Sequence, residues 1–109
     1  MPQIRLGQIA YARSGDKGSG ANVGVIARTP ADFATLREHL TADTVERYFA
    51  PMGVGKVIRY ELPNLGALNF ILPNILNGGG SVSLRIDAQG KSLGQVLLEL
   101  PLDLPEVQP

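Results

Sequence analysis

Residues 23–40 read VGVIARTPADFATLREHL, and this stretch contains the change from strand to helix on which the fold class depends. Its first part, 23–27, is an unbroken run of small apolar residues of strand length, which is typical of a central, covered strand. Thr29 then supplies a hydroxyl that can cap a helix, and Pro30 suits the first helical position. Because apolar residues at helical spacing continue as far as Leu40, we predict a strand followed closely by a helix.

Further strand patterns lie on both sides of this unit. The segment 4–12 predicts an edge strand, and 56–62 alternates in the manner of a half-buried strand. Apolar and polar residues also alternate over 82–87, and 88–91 contains a glycine suited to a tight turn, so a hairpin is expected there. Its second arm, 93–102, fits a strand or a helix, and the sequence leaves both open.

Two more helices are predicted between these strands. Thr41 can cap a short second helix, which ends before Pro51. The apolar stretch 64–77 is interrupted by glycine and proline, and it is interpreted as a short helix that begins near Asn69 or Leu72. Helices and strands are grouped rather than strictly alternating. The pattern therefore predicts an α+β fold, a two-layer α/β sandwich with helices on one face of a mainly antiparallel sheet.

The composition limits the classes of protein to which the chain can belong. With 109 residues it is expected to form one domain over 1–109, with a frayed tail at 105–109. Ten basic and ten acidic residues balance, which disfavours a nucleic-acid or anionic-membrane partner. The sequence contains no cysteine, no signal peptide and no apolar run long enough to cross a bilayer, so a cytoplasmic location is expected.

The segment 13–22, RSGDKGSGAN, is the first candidate site. Ten residues with three glycines and many polar side chains exceed what a turn needs, so we interpret it as a functional loop. Glycines can turn N–H groups inward as an anion-binding nest, and the side chains add further donors. The alternative is a long loop whose charges are merely solvated. The predicted ligand-binding residues of this loop are Arg13, Ser14, Gly15, Asp16, Lys17, Gly18, Ser19 and Asn22.

Known cofactor motifs do not match this loop. Gly15 and Gly20 have the spacing of a Walker motif, but Ala21 stands where lysine is required, and the dinucleotide fingerprint is missed by one residue. We therefore predict no nucleotide and no other cofactor. Lys17 is the best candidate for chemistry, because a desolvated lysine can act as a nucleophile or base, and Asp16 could orient it.

Two asparagines in an apolar segment form a second candidate. Asn64 and Asn69 could bind a ligand carbonyl or the glycine-rich loop, although helix capping and turn formation explain asparagines at such places about twice as often. His39 is the only histidine, and it is expected on the solvent side of its helix. With no second histidine and no cysteine, no metal site is predicted.

Three stretches resemble one protein family. They are 6–28 (LGQIAYARSGDKGSGANVGVIAR), 60–73 (YELPNLGALNFILP) and 83–98 (SLRIDAQGKSLGQVLL). Together they are similar to the C-terminal domain of the acyclic terpene utilisation protein family AtuA, whose hallmark is the ARSGDKG stretch at 12–18. The resemblance implies a ferredoxin-like fold. It also implies a stand-alone version of a domain that usually follows a larger one, a larger AtuA-like partner, and a role in the catabolism of acyclic terpenes or branched acyl-CoA compounds.

Three functions are compatible with these patterns. The first is an accessory subunit whose 13–22 loop binds a partner or an anionic ligand group, such as a carboxylate or a CoA phosphate. The second is an autonomous hydro-lyase or isomerase that uses Lys17 and Asp16 at a homo-oligomer interface. The third is a purely structural assembly domain. Exposed edge strands make a homo-oligomer the expected state in each case.

Overall fold

The computed structural model describes residues 3–17, 20–75 and 92–104. The predicted hairpin around 82–91 and the predicted frayed tail at 105–109 lie outside these residues. The described helices and strands are β1 (Gln3–Arg5), β2 (Ala10–Lys17), β3 (Gly20–Ala27), α1 (Pro30–His39), α2 (Ala42–Phe49), β4 (Ile58–Leu62), β5 (Ala67–Leu72), α3 (Leu93–Leu97) and β6 (Pro101–Asp103). Short 3₁₀ turns occupy Leu6–Gln8, Ala50–Met52 and Pro63–Leu65.

The described part of the main sheet has four strands in the order β2-β3-β5-β4, and every neighbouring pair is antiparallel. β1 and β6 form a separate antiparallel pair. The described helices contact one face of the main sheet, through α1 with β3 and β5, and through α3 with β2 and β3. The predicted α+β two-layer sandwich is confirmed, and β3 has the predicted central place. None of the described helices is of the length and apolarity that crossing a membrane requires.

Both helix starts predicted from threonine are present. The Thr29 hydroxyl accepts a hydrogen bond of 3.0 Å from the Asp32 N–H, and Pro30 occupies the first turn of α1. The Thr41 hydroxyl accepts one of 3.1 Å from the Thr44 N–H at the start of α2. Each cap satisfies a backbone donor that has no partner within the helix.

The described residues of the segment, 13–17 and 20–22, belong to strands rather than to a loop, so the prediction of a loop was wrong for them. Residues 13–17 complete β2 and residues 20–22 begin β3, with Gly15 paired to Asn22 and Lys17 paired to Gly20. Glycines and polar side chains are compatible with a strand when one face of its sheet is uncovered. The polar residues of this segment are therefore explained by an uncovered sheet face rather than by an irregular chain.

The helix predicted near Asn69 or Leu72 is also absent, because Ala67–Leu72 forms β5 between β3 and β4. Pairing with two neighbours outweighs the ambiguous local pattern of a short apolar run. The segment 93–102, for which the sequence left strand and helix open, contains both: α3 comes first, and β6 begins after Leu100. Proline at the start of β6 is compatible with a strand that has one described neighbour.

The core lies between the sheet and the helices. Alternate residues of β3 and β5 are buried against leucines, valines and a phenylalanine from α1, α2 and α3. The largest fully buried side chains are Leu6, Val23, Val25, Leu36, Leu40, Val45, Phe49, Leu68, Phe70, Leu72 and Leu97. Burial on one side only leaves the opposite sheet face free of the described helices.

Candidate functional site

The open face of the main sheet is defined by the alternation of side chains along β3. Ala21, Val23 and Val25 are buried on the helix side. Asn22 is exposed and Gly24 is partly exposed, and both lie on the opposite side because successive residues of a strand point to opposite faces. We use the term open face for the sheet side that carries Asn22 and Gly24.

Strand register aligns four residues in one row across this face. Arg13 of β2 is opposite Gly24, Gly24 is opposite Asn69 of β5, and Asn69 is opposite Tyr60 of β4. Residues paired in this way share a face, so an arginine, an asparagine and a tyrosine lie in line with a glycine between the first two.

The row has a gap at Gly24. A Cβ atom placed there would be 3.9 Å from both the Arg13 carbonyl oxygen and the Asn69 Oδ1, which is ordinary van der Waals distance. A side chain would fit the fold at this position, so the fold itself does not require a glycine. The missing side chain deepens the face between Arg13 and Asn69.

A groove of about 380 Å³ occupies this depression. One part of it is polar, with Arg13, Asn22 and Asn69, and another part is apolar. The full lining is Arg13, Ser14, Gly15, Asn22, Gly24, Ile26, Leu62, Leu65, Ala67, Leu68 and Asn69. This lining contains no carboxylate, imidazole or lysine, so the described groove offers hydrogen-bond donors and one positive charge but no general base.

Gly15 controls the position of the Asn22 amide. A Cβ atom at residue 15 would be 3.2 Å from the Asn22 Oδ1, closer than most side-chain contacts allow. A larger residue would push the amide away from β2, whereas glycine lets it lie across the paired strand. Gly15 thus shapes the polar part of the groove, and it also belongs to the lining of that groove.

The other predicted residues of the 13–22 segment have different positions. The Ser14 hydroxyl accepts a 3.2 Å hydrogen bond from the Gly94 N–H, so it links β2 to α3 on the helix side of the sheet. The Asp16 and Lys17 side chains lie outside what the structure describes, as do Gly18 and Ser19. The chemical role predicted for Lys17 and Asp16 therefore stays a prediction.

The two predicted asparagines are not brought together. Asn64 lies in the 3₁₀ turn after β4, in a separate cavity of about 350 Å³ that includes Arg28 and Phe33. Arg28 in turn donates to the Gly7 carbonyl oxygen at 3.1 Å and has its guanidinium carbon 4.0 Å from the centre of the Tyr11 ring. Of the pair, only Asn69 belongs to the groove.

Among the side chains that the structure describes, no three His, Asp or Glu are grouped as they would be to hold a metal ion. His39 is partly buried, with 24% of its side chain exposed, and its Nε2 is 3.9 Å from the Glu38 carboxylate. It is thus less exposed than the solvent-facing position predicted for it. Burial, with a smaller effect of Glu99, raises the pKa of Tyr48, but this residue belongs to the helix layer.

Sequence reasoning missed the apolar part of the groove. Ile26, Leu62, Leu65 and Ala67 all line it, and Leu62 and Leu65 are 40% and 69% exposed. The available signal was the alternation at 20–26, where glycine, asparagine, glycine and isoleucine alternate with alanine and valines. That pattern predicts a strand with one small and polar face, which is the floor of this groove.

Comparison with known proteins gives one match. The family model described as the AtuA ferredoxin-like domain matches residues 4–103 of the 109-residue chain. The ferredoxin-like fold implied by the sequence resemblance is thereby confirmed. No curated protein and no solved structure matches the chain.

Proposed function

The chain belongs to the AtuA ferredoxin-like domain family, and we propose that it is an accessory binding domain whose open face holds an anionic acyl ligand. The ligand class is a carboxylate or CoA thioester with a branched apolar chain. The observation that carries the proposal is the groove that joins Arg13, Asn22 and Asn69 to an exposed apolar wall.

The polar part of the groove suits an anionic group. The guanidinium of Arg13 has a planar set of donors that matches a carboxylate or a phosphate in two parallel hydrogen bonds. The amides of Asn22, two residues from Gly24 along β3, and of Asn69, opposite Gly24 on β5, add N–H donors and can also accept from a hydroxyl. Three such side chains around a gap favour one charged or strongly polar group at this position.

The apolar part suits a hydrocarbon chain. Ile26, Leu62 and Leu65 come from three different segments and meet beside the polar row. Covering these side chains with an acyl chain would contribute about 0.8 kcal/mol for each buried CH₂ group. A ligand with one anionic end and a branched apolar body matches both parts of the groove.

Family membership and the described lining of the groove support the proposed accessory role. That lining contains no acid or base that could move a proton, so we propose that a larger AtuA-like chain supplies the reactive groups. The pathway proposed for the pair is the catabolism of acyclic terpenes or branched acyl-CoA compounds. An autonomous enzyme remains the second candidate, and it depends on Lys17 and Asp16.

Calorimetric titration with a branched medium-chain acyl-CoA and with its free acid tests the binding role. Arg13→Ala removes the only described positive charge of the groove, and we expect affinity to fall at least about tenfold, as for loss of a charge-assisted hydrogen bond. Arg47→Ala is the matched control, because Arg47 is 73% exposed on α2 and pairs with Asp43 at 3.0 Å. Equal affinity of both variants would refute the assignment of the anion to Arg13.

Gly24→Val tests, in the same titration, whether the gap at residue 24 is needed for ligand binding. The open space around a Cβ at residue 24 means that the fold should tolerate valine, while its methyl groups would fill the groove. We expect a folded protein with little or no measurable ligand binding. A folded Gly24→Val variant that binds as the natural chain does would contradict the proposed site.

An assay of substrate turnover distinguishes an accessory subunit from an autonomous enzyme. We expect a branched acyl-CoA to be converted only when this chain and a larger AtuA-like chain are present together. Turnover by the isolated chain that is lost in Lys17→Ala would favour the autonomous enzyme instead.

A further inference from the structure

β4 is an edge of the main sheet as far as the described strands define it. It pairs with β5 on one side, and no described strand pairs with it on the other. Its open-face side chains are apolar and exposed, at 45% for Ile58, 52% for Tyr60 and 40% for Leu62. An edge that presents backbone donors and acceptors beside exposed apolar side chains is a template for another strand.

We propose that β4 pairs antiparallel with β4 of a second copy of this chain, about a two-fold axis at Tyr60. The strand reads Ile58-Arg59-Tyr60-Glu61-Leu62. In this register Arg59 lies opposite the second copy's Glu61, and Ile58 opposite its Leu62. Tyr60 lies opposite itself. The strand is thus its own complement in both charge and apolarity.

Neighbouring registers lack this complementarity. A shift of two residues in one direction places Arg59 opposite Arg59, and in the other direction Glu61 opposite Glu61. Like charges directly opposite each other destabilise an antiparallel pair, whereas opposite charges stabilise it. A shift by one residue would pair an open-face residue with a helix-side residue and put the two helix layers on opposite sides. The register about Tyr60 places opposite charges across from each other and keeps the two helix layers on the same side.

The charged side chains are already held in place on the helix side. Arg59 donates to the carbonyl oxygens of Arg37 and Leu40, at 3.0 and 3.1 Å, and to the Glu61 carboxylate at 2.8 Å. Glu61 is also 3.3 Å from the Arg37 guanidinium. Because these contacts fix both charges beside the edge, little side-chain freedom is lost when the second copy's charges approach.

Pairing in this way would join two main sheets into one of eight strands. The two open faces would lie on the same side, with Leu62 of each copy between its groove and the two-fold axis. The proposal does not depend on what the groove binds, because β4 is complementary to itself without a ligand.

Sedimentation velocity of the full chain tests the interface through opposite charges at residue 60. We expect the natural chain to be a dimer in the micromolar range, and Tyr60→Lys and Tyr60→Glu each to raise the dimer Kd at least about tenfold by placing like charges opposite each other. An equimolar mixture of the two variants should form dimers again. Tyr11→Lys is the matched control, because Tyr11 is 54% exposed on β2, away from this edge, and it should leave the dimer intact.

Three results would overturn the proposal. The first is a natural chain that stays monomeric throughout the micromolar range. The second is a Tyr60→Lys or Tyr60→Glu variant, folded by circular dichroism, that dimerises as the natural chain does. The third is a mixture of the two variants that remains monomeric although each is folded, because the two-fold register requires residue 60 to face itself.

Discussion

Single residues separate the two faces of the sheet into different roles. Gly24 leaves a gap in which a side chain would fit, whereas a Cβ at Gly20 would be 3.0 Å from the Leu72 carbonyl oxygen. The first glycine therefore serves the open face, and the second permits close approach of two strands. On the helix side, Tyr48 donates a 2.7 Å hydrogen bond to the Val96 carbonyl oxygen and ties α2 to α3.

Tyr48→Phe should lower the free energy of unfolding by about 1 kcal/mol at neutral pH, because it removes this hydrogen bond. Burial raises the pKa of Tyr48 above 10.0, with Glu99 adding to the shift. The folded state thus holds the phenol proton more tightly than the unfolded state, so the contribution is complete below pH 10.0 and declines as pH rises through the folded-state pKa. Urea unfolding of both proteins at neutral and alkaline pH measures the difference, which should narrow at alkaline pH.

Tyr11→Phe is the control for this experiment, because its ring is exposed on β2 and can still lie under Arg28. It should change stability by less than about 0.5 kcal/mol. A Tyr48→Phe variant as stable as the natural chain at neutral pH would contradict the role given to this hydrogen bond.

At the scale of helices and strands, the sequence predicts what local chemistry determines. The threonine caps specify α1 and α2, and the apolar run at 23–27 specifies a central strand. β5 could not be recognised from the sequence, because a short apolar run with Gly66 before it and Pro73 after it fits a helix or a strand. Pairing with β3 and β4 makes this run a strand.

The same limit applies to the candidate site. Arg13, Gly15, Asn22 and Asn69 were predicted and do line one groove. Their common face depends on the register of three strands, which no local pattern contains. Polar residues were interpreted as a loop because the sequence does not show which sheet face the helices leave uncovered.

Thr29→Ala tests the strongest local signal. It removes the cap acceptor of the Asp32 N–H, so the free energy of unfolding should fall by about 1 kcal/mol. Thr35→Ala is the matched control within α1, because the Thr35 hydroxyl donates back to the Ala31 carbonyl oxygen at 3.3 Å and alanine favours a helix. Chemical denaturation measures the free energy of unfolding of both variants. An equal loss of stability in the two variants would contradict a specific role for the Thr29 cap.

At the scale of the whole molecule, the buried core lies on one side of the main sheet, and the open face on which we propose binding lies on the other. Buried residues of the sheet and helices form the core, while the open face combines a polar row, a gap and an apolar wall. If the open face binds as proposed, substitutions there should change binding with little effect on folding. In the proposed dimer, the open face would continue across the β4 edge into a second copy.

The central claim is that the open face of the main sheet binds an anionic acyl ligand, and an NMR titration of the ¹⁵N-labelled chain with a branched acyl-CoA tests it most directly. We expect the largest amide shift changes at Arg13, Asn22, Gly24 and Asn69, with the amides of α1 and α2 little affected. Shift changes confined to the helix layer, or none at saturating ligand, would contradict it.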